Sequence, residues 1–197
     1  MNAPAVLRPA AFLDRDGTLI EEVDYLTRVE QLRVLPGVPE ALIALQRAGY
    51  VRVLVSNQSG VARGLLDEPQ LERIHAELLA RLRAAGADLE LVLYCPHLPG
   101  APVAAYDRIC ACRKPEPGLL LEAARRLPID LARSIAFGDS LRDLDAAARV
   151  GARGVLVRTG KGEAELARAG RRTLEHHADL AAAVRAVLAP AAGRPIQ

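Results

Sequence analysis

At 197 residues the chain fits one domain with a sizeable core and leaves little room for a second. Apolar residues make up 51% of it but aromatic ones only 3%, so the interior is expected to be aliphatic. The 26 Lys and Arg against 24 Asp and Glu, a net charge of +2, exclude bulk attraction to a polyanion, and no apolar stretch reaches membrane-spanning length.

In chain order, short apolar runs alternate with amphipathic stretches, the pattern of a parallel sheet with helices on both faces. Strands are expected at residues 10–13, 51–55, 89–94, 135–137 and 154–157. Helices are expected at 38–48, 69–85, 118–127, 141–150 and 180–188, with Gly49, Gly86 and Gly151 placed to cap three of them. The expected fold class is therefore α/β: a single Rossmann-like three-layer domain, residues 1–188, with a central parallel sheet and no large cap domain. Residues 189–197 read as a C-terminal tail. Residues 1–9 have neither the basic start nor the apolar run of an export signal, so a soluble cytoplasmic protein, a monomer without membrane or nucleic-acid partner, is expected.

Ligands of such sheets bind beyond the carboxyl ends of the strands, so the polar residues that follow each strand carry the most information. The first strand runs into Asp14-Arg15-Asp16-Gly17-Thr18, the second into Ser56-Asn57-Gln58-Ser59-Gly60, the third into Cys95-Pro96-His97 and the fourth into Gly138-Asp139-Ser140. Asp14 and Asp16, two residues apart at a strand end, can share a cleft while Arg15 points elsewhere. Clustered carboxylates repel unless a cation relieves them, which suits a hard divalent ion such as magnesium, with Asp139 as a further oxygen donor. An isolated Asp-x-Asp-Gly often does no more than shape a turn. Here four separated places agree: the Asp motif, Ser56 and Gly138-Asp139 after strands, and Lys114 at the start of a later helix.

Three cysteines crowd one region, and Cys95-x-His97 with Cys110-x-Cys112 offers three sulfurs and one nitrogen, the donor set of a closed tetrahedral zinc site. Free thiols beside a loop histidine are the bland alternative. Four protein ligands leave no open position, so the zinc would be structural, and Cys112 leads directly into Arg113 and Lys114, which an ordered loop would hold over the cleft. His75, His176 and His177 read as ordinary surface residues.

With these residues in place, the chain resembles the haloacid dehalogenase superfamily of aspartate-nucleophile phosphatases, whose motifs read here as Asp14-x-Asp16-Gly17-Thr18, Ser56, Lys114 and Gly138-Asp139-x-x-x-Asp143. The resemblance implies that Asp14 attacks phosphorus, that Asp16 is the acid/base, and that Ser56 and Lys114 neutralise the phosphoryl oxygens. It also implies magnesium held by Asp14, the carbonyl of Asp16 and Asp139, with Asp143 in support. The stretches Asn57-Gln58-Ser59-Gly60-Val61-Ala62-Arg63-Gly64, Cys95-Pro96-His97 and Cys110-Ala111-Cys112-Arg113-Lys114-Pro115 narrow it to the D-glycero-D-manno-heptose 1,7-bisphosphate 7-phosphatase family. That family removes the C7 phosphate of a small phosphorylated sugar and leaves the 1-phosphate for nucleotide activation and surface (lipo)polysaccharide. On its pattern Arg113 recognises substrate, while Glu22, Tyr25, Asn57 and Arg63 line the sugar site. The loop Glu22-Val23-Asp24-Tyr25 and Ser140 depart from the family pattern at positions of specificity. Histidinol-phosphate phosphatase is the nearest alternative, against which stand the Ser59 to Gly64 stretch and the long segment between His97 and Cys110. A zinc-knuckle nucleic-acid module is a different-class alternative, against which stand the balanced charge and few aromatics.

Overall fold

Strand β1, Arg8–Leu13, has Ala10, Ala11, Phe12 and Leu13 at 0% exposure, which only a central strand covered on both faces allows. Its side chains alternate between two aliphatic clusters: Ala11 and Leu13 enter one, Ala10 and Phe12 the other. In the computed structural model, which describes residues 6–189, β1 pairs in parallel with β2, Val51–Asn57, on one side and with β4, Ile129–Gly138, on the other. The remaining strands are β3, Leu91–Cys95, β5, Arg153–Val157, and β6, His176–His177. They complete a six-stranded, all-parallel sheet of order β3-β2-β1-β4-β5-β6.

Helices α1, Val38–Arg47, α2, Glu68–Ala84, and α6, Leu180–Leu188, bury their apolar stripes in one cluster. Helices α3, Gly118–Arg126, and α4, Leu141–Ala148, bury theirs in the other, giving the expected three layers; a short α5, Gly162–Arg168, follows β5. Helix α2 starts at a reciprocal cap: Asp67 accepts from the Gln70 amide and the Gln70 side chain accepts from that of Asp67. Gly49, Gly86 and Gly151 follow α1, α2 and α4 with φ of 85°, 78° and 73°. Between β1 and β2 the chain forms a turn, a 3-10 helix at Val29–Gln31 and α1; between β2 and β3 it forms α2. Neither segment inserts a cap.

Two expectations are corrected. Strand β4 starts six residues before the expected 135, because a register shift opposite Pro9 lets polar Asp130 and Arg133 sit at its start. There Ser134 Oγ accepts from the Ala10 amide at 2.8 Å and donates to Asp130 O at 2.6 Å. His75 is not on the surface: it lies on the inner face of α2 at 6% exposure. Of the expected tail, residues 190–197 lie outside the described residues. No helix among the described residues is long and apolar enough to cross a membrane.

Candidate active site and metal cluster

The strand order reverses between β1 and β4, and the crevice beyond their carboxyl ends holds the acidic residues. Asp14 leaves β1 with its amide on Phe137 O at 3.0 Å. Gly17 then turns with φ 72°, and a Cβ there would meet Asp139 Oδ2 at 2.1 Å, so this carboxylate occupies space that only glycine leaves. One oxygen from each of Asp14, Asp139 and Asp143 lies within 4.8 Å of the others. Burial first, and the charge of Asp14 next, push Asp139 up to about 7, even though the Lys161 amide donates to it at 2.8 Å. Burial also pushes Asp143 up, and Lys114 offsets part of that. Crowded oxygen donors of this kind fit a hard divalent cation, which would remove the mutual repulsion.

Lys114 is 3% exposed, and its ammonium group meets three acceptors: Asp14 Oδ1 at 3.0 Å, Asp143 Oδ1 at 2.5 Å and Val55 O at 2.7 Å. Burial alone would pull its pKa down, but Asp14 and Asp143 outweigh it and hold the amine above its ordinary value. Asp143 also takes the Ser140 amide at 3.1 Å, so it caps α4 and pairs the lysine at once. Asn57 spends both ends of its side-chain amide on the main chain of Lys114, donating to O and accepting from N, each at 3.0 Å. Asn57 borders the cavity, and its side-chain polar atoms face protein.

The Asp16 carboxylate stands outside the acidic trio. It accepts from Arg15 Nε and Nη2 at 3.1 and 3.0 Å and from Gln58 Nε2 at 2.9 Å, while Gln58 also donates to Ser56 Oγ at 2.8 Å. Arg15, expected to point elsewhere, is buried at the edge of the same cleft, its guanidinium turned onto the Asp16 carboxylate.

All of these groups open onto one cavity of about 250 Å³, together with Glu22, Tyr25, Arg63, Arg113, Arg142 and Lys161. Glu22 pairs with Lys161 at 2.9 Å, and Arg63 lies over the Tyr25 ring, 5.8 Å from its centroid. Arg113 donates to His97 O at 3.1 Å; burial lowers its pKa, and Arg142 and Arg63 lower it further. None of these three arginines has a carboxylate partner among the described residues. The cavity thus combines an acidic floor with unpaired guanidinium groups around it, a distribution suited to an anion bridged to a cation.

Beside it, Cys95, His97, Cys110 and Cys112 come together with one ligand atom each within 4.8 Å of the rest. Five of the six pairs are 3.1 to 3.5 Å apart. Zn–S bonds of ~2.3 Å place tetrahedral ligands somewhat under 4 Å apart, so the set is shaped for such an ion. Burial and the neighbouring Cys112 raise the Cys95 thiol, a cost that a bound cation removes. Cys95 ends β3 opposite Asn57 of β2, and its carbonyl takes the Gln58 amide at 2.8 Å, so the cluster is tied to the strand end that carries Ser56.

Arg15, Gln58, His75, Arg142 and Lys161 were not singled out from the sequence as site residues. Lys161 follows β5, on the same sheet edge as the other four loops, and applying the strand-end rule there would have found it. Arg142 stands three residues after Asp139 at a helix start and had a comparable signal. His75 had none, since its role comes from packing between elements.

A family model described as HAD-hydrolase-like matches residues 111–184. A D-glycero-β-D-manno-heptose-1,7-bisphosphate 7-phosphatase of Photorhabdus laumondii is 46% identical over 155 residues, 78% of this chain and 82% of that protein. The Salmonella typhi protein of the same name is 41% identical over 180 residues, 90% of this chain and 95% of its own. The crystal structure of a D,D-heptose 1,7-bisphosphate phosphatase from B. bronchiseptica, complexed with magnesium and phosphate, superposes with a TM-score of 0.81 at 39% identity. It covers 91% of this chain and 98% of that one.

Proposed function

Because the chain belongs to the D-glycero-D-manno-heptose 1,7-bisphosphate 7-phosphatase family of haloacid dehalogenase-like hydrolases, we propose that it hydrolyses the C7 phosphate of that heptose bisphosphate. The observation that carries the reading is the cavity itself: an acidic trio braced by Lys114 faces three unpaired guanidinium groups, one set for the reacting phosphate and its cation, the other for a second phosphate. Its cations converge on a space of sugar size instead of spreading over a surface, which disfavours nucleic acid. The relatives' names favour the β anomer and the heptose over histidinol phosphate.

In this reading an Asp14 carboxylate oxygen forms the new bond to phosphorus as the bond from phosphorus to the C7 oxygen breaks. Asp16 gives its proton to the departing alkoxide, then takes one from the water that cleaves the aspartyl-phosphate. Lys114 orients Asp14 from 3.0 Å and, with the Ser56 hydroxyl, faces the phosphoryl oxygens. Magnesium, held by Asp14, the Asp16 carbonyl and Asp139, supplies the positive charge that phosphoryl transfer needs. Arg113, with Arg63 and Arg142, receives the 1-phosphate, and Glu22 and Tyr25 border the sugar. Cys95, His97, Cys110 and Cys112 hold a structural zinc that fixes the segment leading into Arg113 and Lys114. The enzyme works as a cytoplasmic monomer.

The test compares phosphate release from both anomers of the heptose bisphosphate and from histidinol phosphate. The β bisphosphate is expected to lose its C7 phosphate with by far the highest kcat/KM, and Asp14→Asn to be folded but inactive. Equal or better turnover of histidinol phosphate overturns the assignment.

A further inference from the structure

The Asp16 carboxylate is held by two side chains, Arg15 on one side and Gln58 on the other. Arg15 is 1% exposed, with Nε and Nη2 on the Asp16 carboxylate, which leaves Nη1 directed into the core. There it lies 3.3 Å from Nε2 of His75, a residue from the middle of α2. Arginine can only donate, so His75 Nε2 must accept and the ring proton must sit on Nδ1. Burial, and after it the charge of Arg15, push His75 down to about 3, so the ring is neutral as that contact requires. Tyr94 of β3 lies tilted against the ring, with centroids 5.5 Å apart, and its hydroxyl donates to Glu68 at 3.0 Å at the start of the same helix. The imidazole is therefore braced by a strand and by its own helix.

A guanidinium is planar, so fixing its third nitrogen fixes the plane of the fork that the other two present. We propose that His75 is a positioning residue for the acid/base Asp16: it accepts from Arg15 Nη1 and so sets the orientation of the Arg15 fork, and with it the carboxylate that Gln58 holds from the other side. The inference rests on the phosphatase reading and adds to it a residue that never meets substrate. Without an acceptor at Nη1, a buried donor is left unsatisfied and the guanidinium is free to turn, taking the Asp16 oxygens out of line with the leaving group.

The experiment measures kcat/KM for His75→Leu and His75→Gln on two substrates. One is the heptose bisphosphate, whose alkoxide must be protonated as it leaves; the other is p-nitrophenyl phosphate, whose phenolate leaves unaided. Since kcat/KM reports the steps up to aspartyl-phosphate formation, a misaligned acid shows only on the first. His75→Leu is expected to lose roughly tenfold on the sugar, a fraction of what a general acid supplies, and under about twofold on the aryl ester. His75→Gln, whose Oε1 can accept from Nη1, is expected to keep at least about half of the wild-type value on both. An equal loss on both substrates, no loss on the sugar, or a Gln variant as impaired as Leu overturns the proposal. Should His75→Leu fail to fold, Arg15→Lys, which replaces the fork by a point charge, takes its place with the same selective loss expected and the same outcomes overturning it. A wild-type protein inert on both substrates defeats the phosphatase reading instead, so the two failures are distinguishable.

Discussion

Asn57, expected to line the sugar site, is committed in the structure to Lys114. Its side-chain amide closes two 3.0 Å hydrogen bonds on the main chain of Lys114, so its loss should misplace the ammonium group and spare sugar contacts. Asn57→Ala is expected to lower kcat at least about tenfold with KM changed less than about threefold, and to cost about 1–2 kcal/mol of stability. Steady-state kinetics with urea unfolding check it, and a change in KM alone would return Asn57 to the role of sugar contact. His75 gives a pH signature independent of catalysis. Its folded pKa of about 3 lies below the ordinary 6.5, so the unfolded chain takes up the proton first, and its contribution to stability is present above 6.5 and lost as pH falls towards 3. Melting temperatures between pH 7 and pH 5 should therefore fall less in His75→Gln than in the wild type; parallel curves would contradict the buried neutral ring. Asp14 and Asp139 were legible in the sequence because each stands directly after a strand, and Lys114 because it follows the crowded cysteines and fits the family motif. His75 was not, because a helix-face histidine shows its partner only once α2 has packed on β1.

Among the elements, the loop between β3 and α3 is the one without regular structure to hold it. Besides the Asn57 bonds to Lys114, its fixed points include the four ligands and Gly118, the first residue of α3, whose amide donates to Ala111 O at 2.8 Å. A Cβ on Gly118 would stand 2.3 Å from that same oxygen, a contact with backbone that no side-chain rotation relieves. Zinc content near one per chain is expected in the wild type and its loss in Cys95→Ser, measured by elemental analysis, with melting lowered as a structural site worth on the order of 10 kcal/mol of binding requires. Gly118→Ala should weaken zinc retention against a chelator without touching a ligand; full retention would mean that the loop and α3 are not coupled as the contact implies. The cysteines announced this loop through donor type and number. Helix α5 and strand β6 gave no comparable sign: seven residues and two residues are too short for a period to emerge, and their positions depend on the edge of β5.

For the whole molecule, the sheet order concentrates like charge at one point. Because the chain leaves β1 for β2 and β3 and returns across it to β4, Asp14 from one half meets Asp139 and Asp143 from the other, with Lys114 bridging Asp14 and Asp143. The order itself was legible only as a class, since apolar alternation identifies a parallel sheet but not which strands adjoin. Function therefore costs stability at the switch point, and the cation should restore it. At about a hundred times its dissociation constant, magnesium should stabilise metal-free protein by about 2.7 kcal/mol, a rise of about 5–10 °C in Tm for a chain of this size. Asp139→Asn keeps an oxygen for the Lys161 amide but removes one buried charge from the trio. At pH 8 in chelator it should melt at or above the wild type, and added magnesium should no longer raise its Tm. If the variant instead melts lower without metal, Asp139 is paying for itself through contacts of its own, and the repulsion inferred at the junction of the two halves is not what limits this fold.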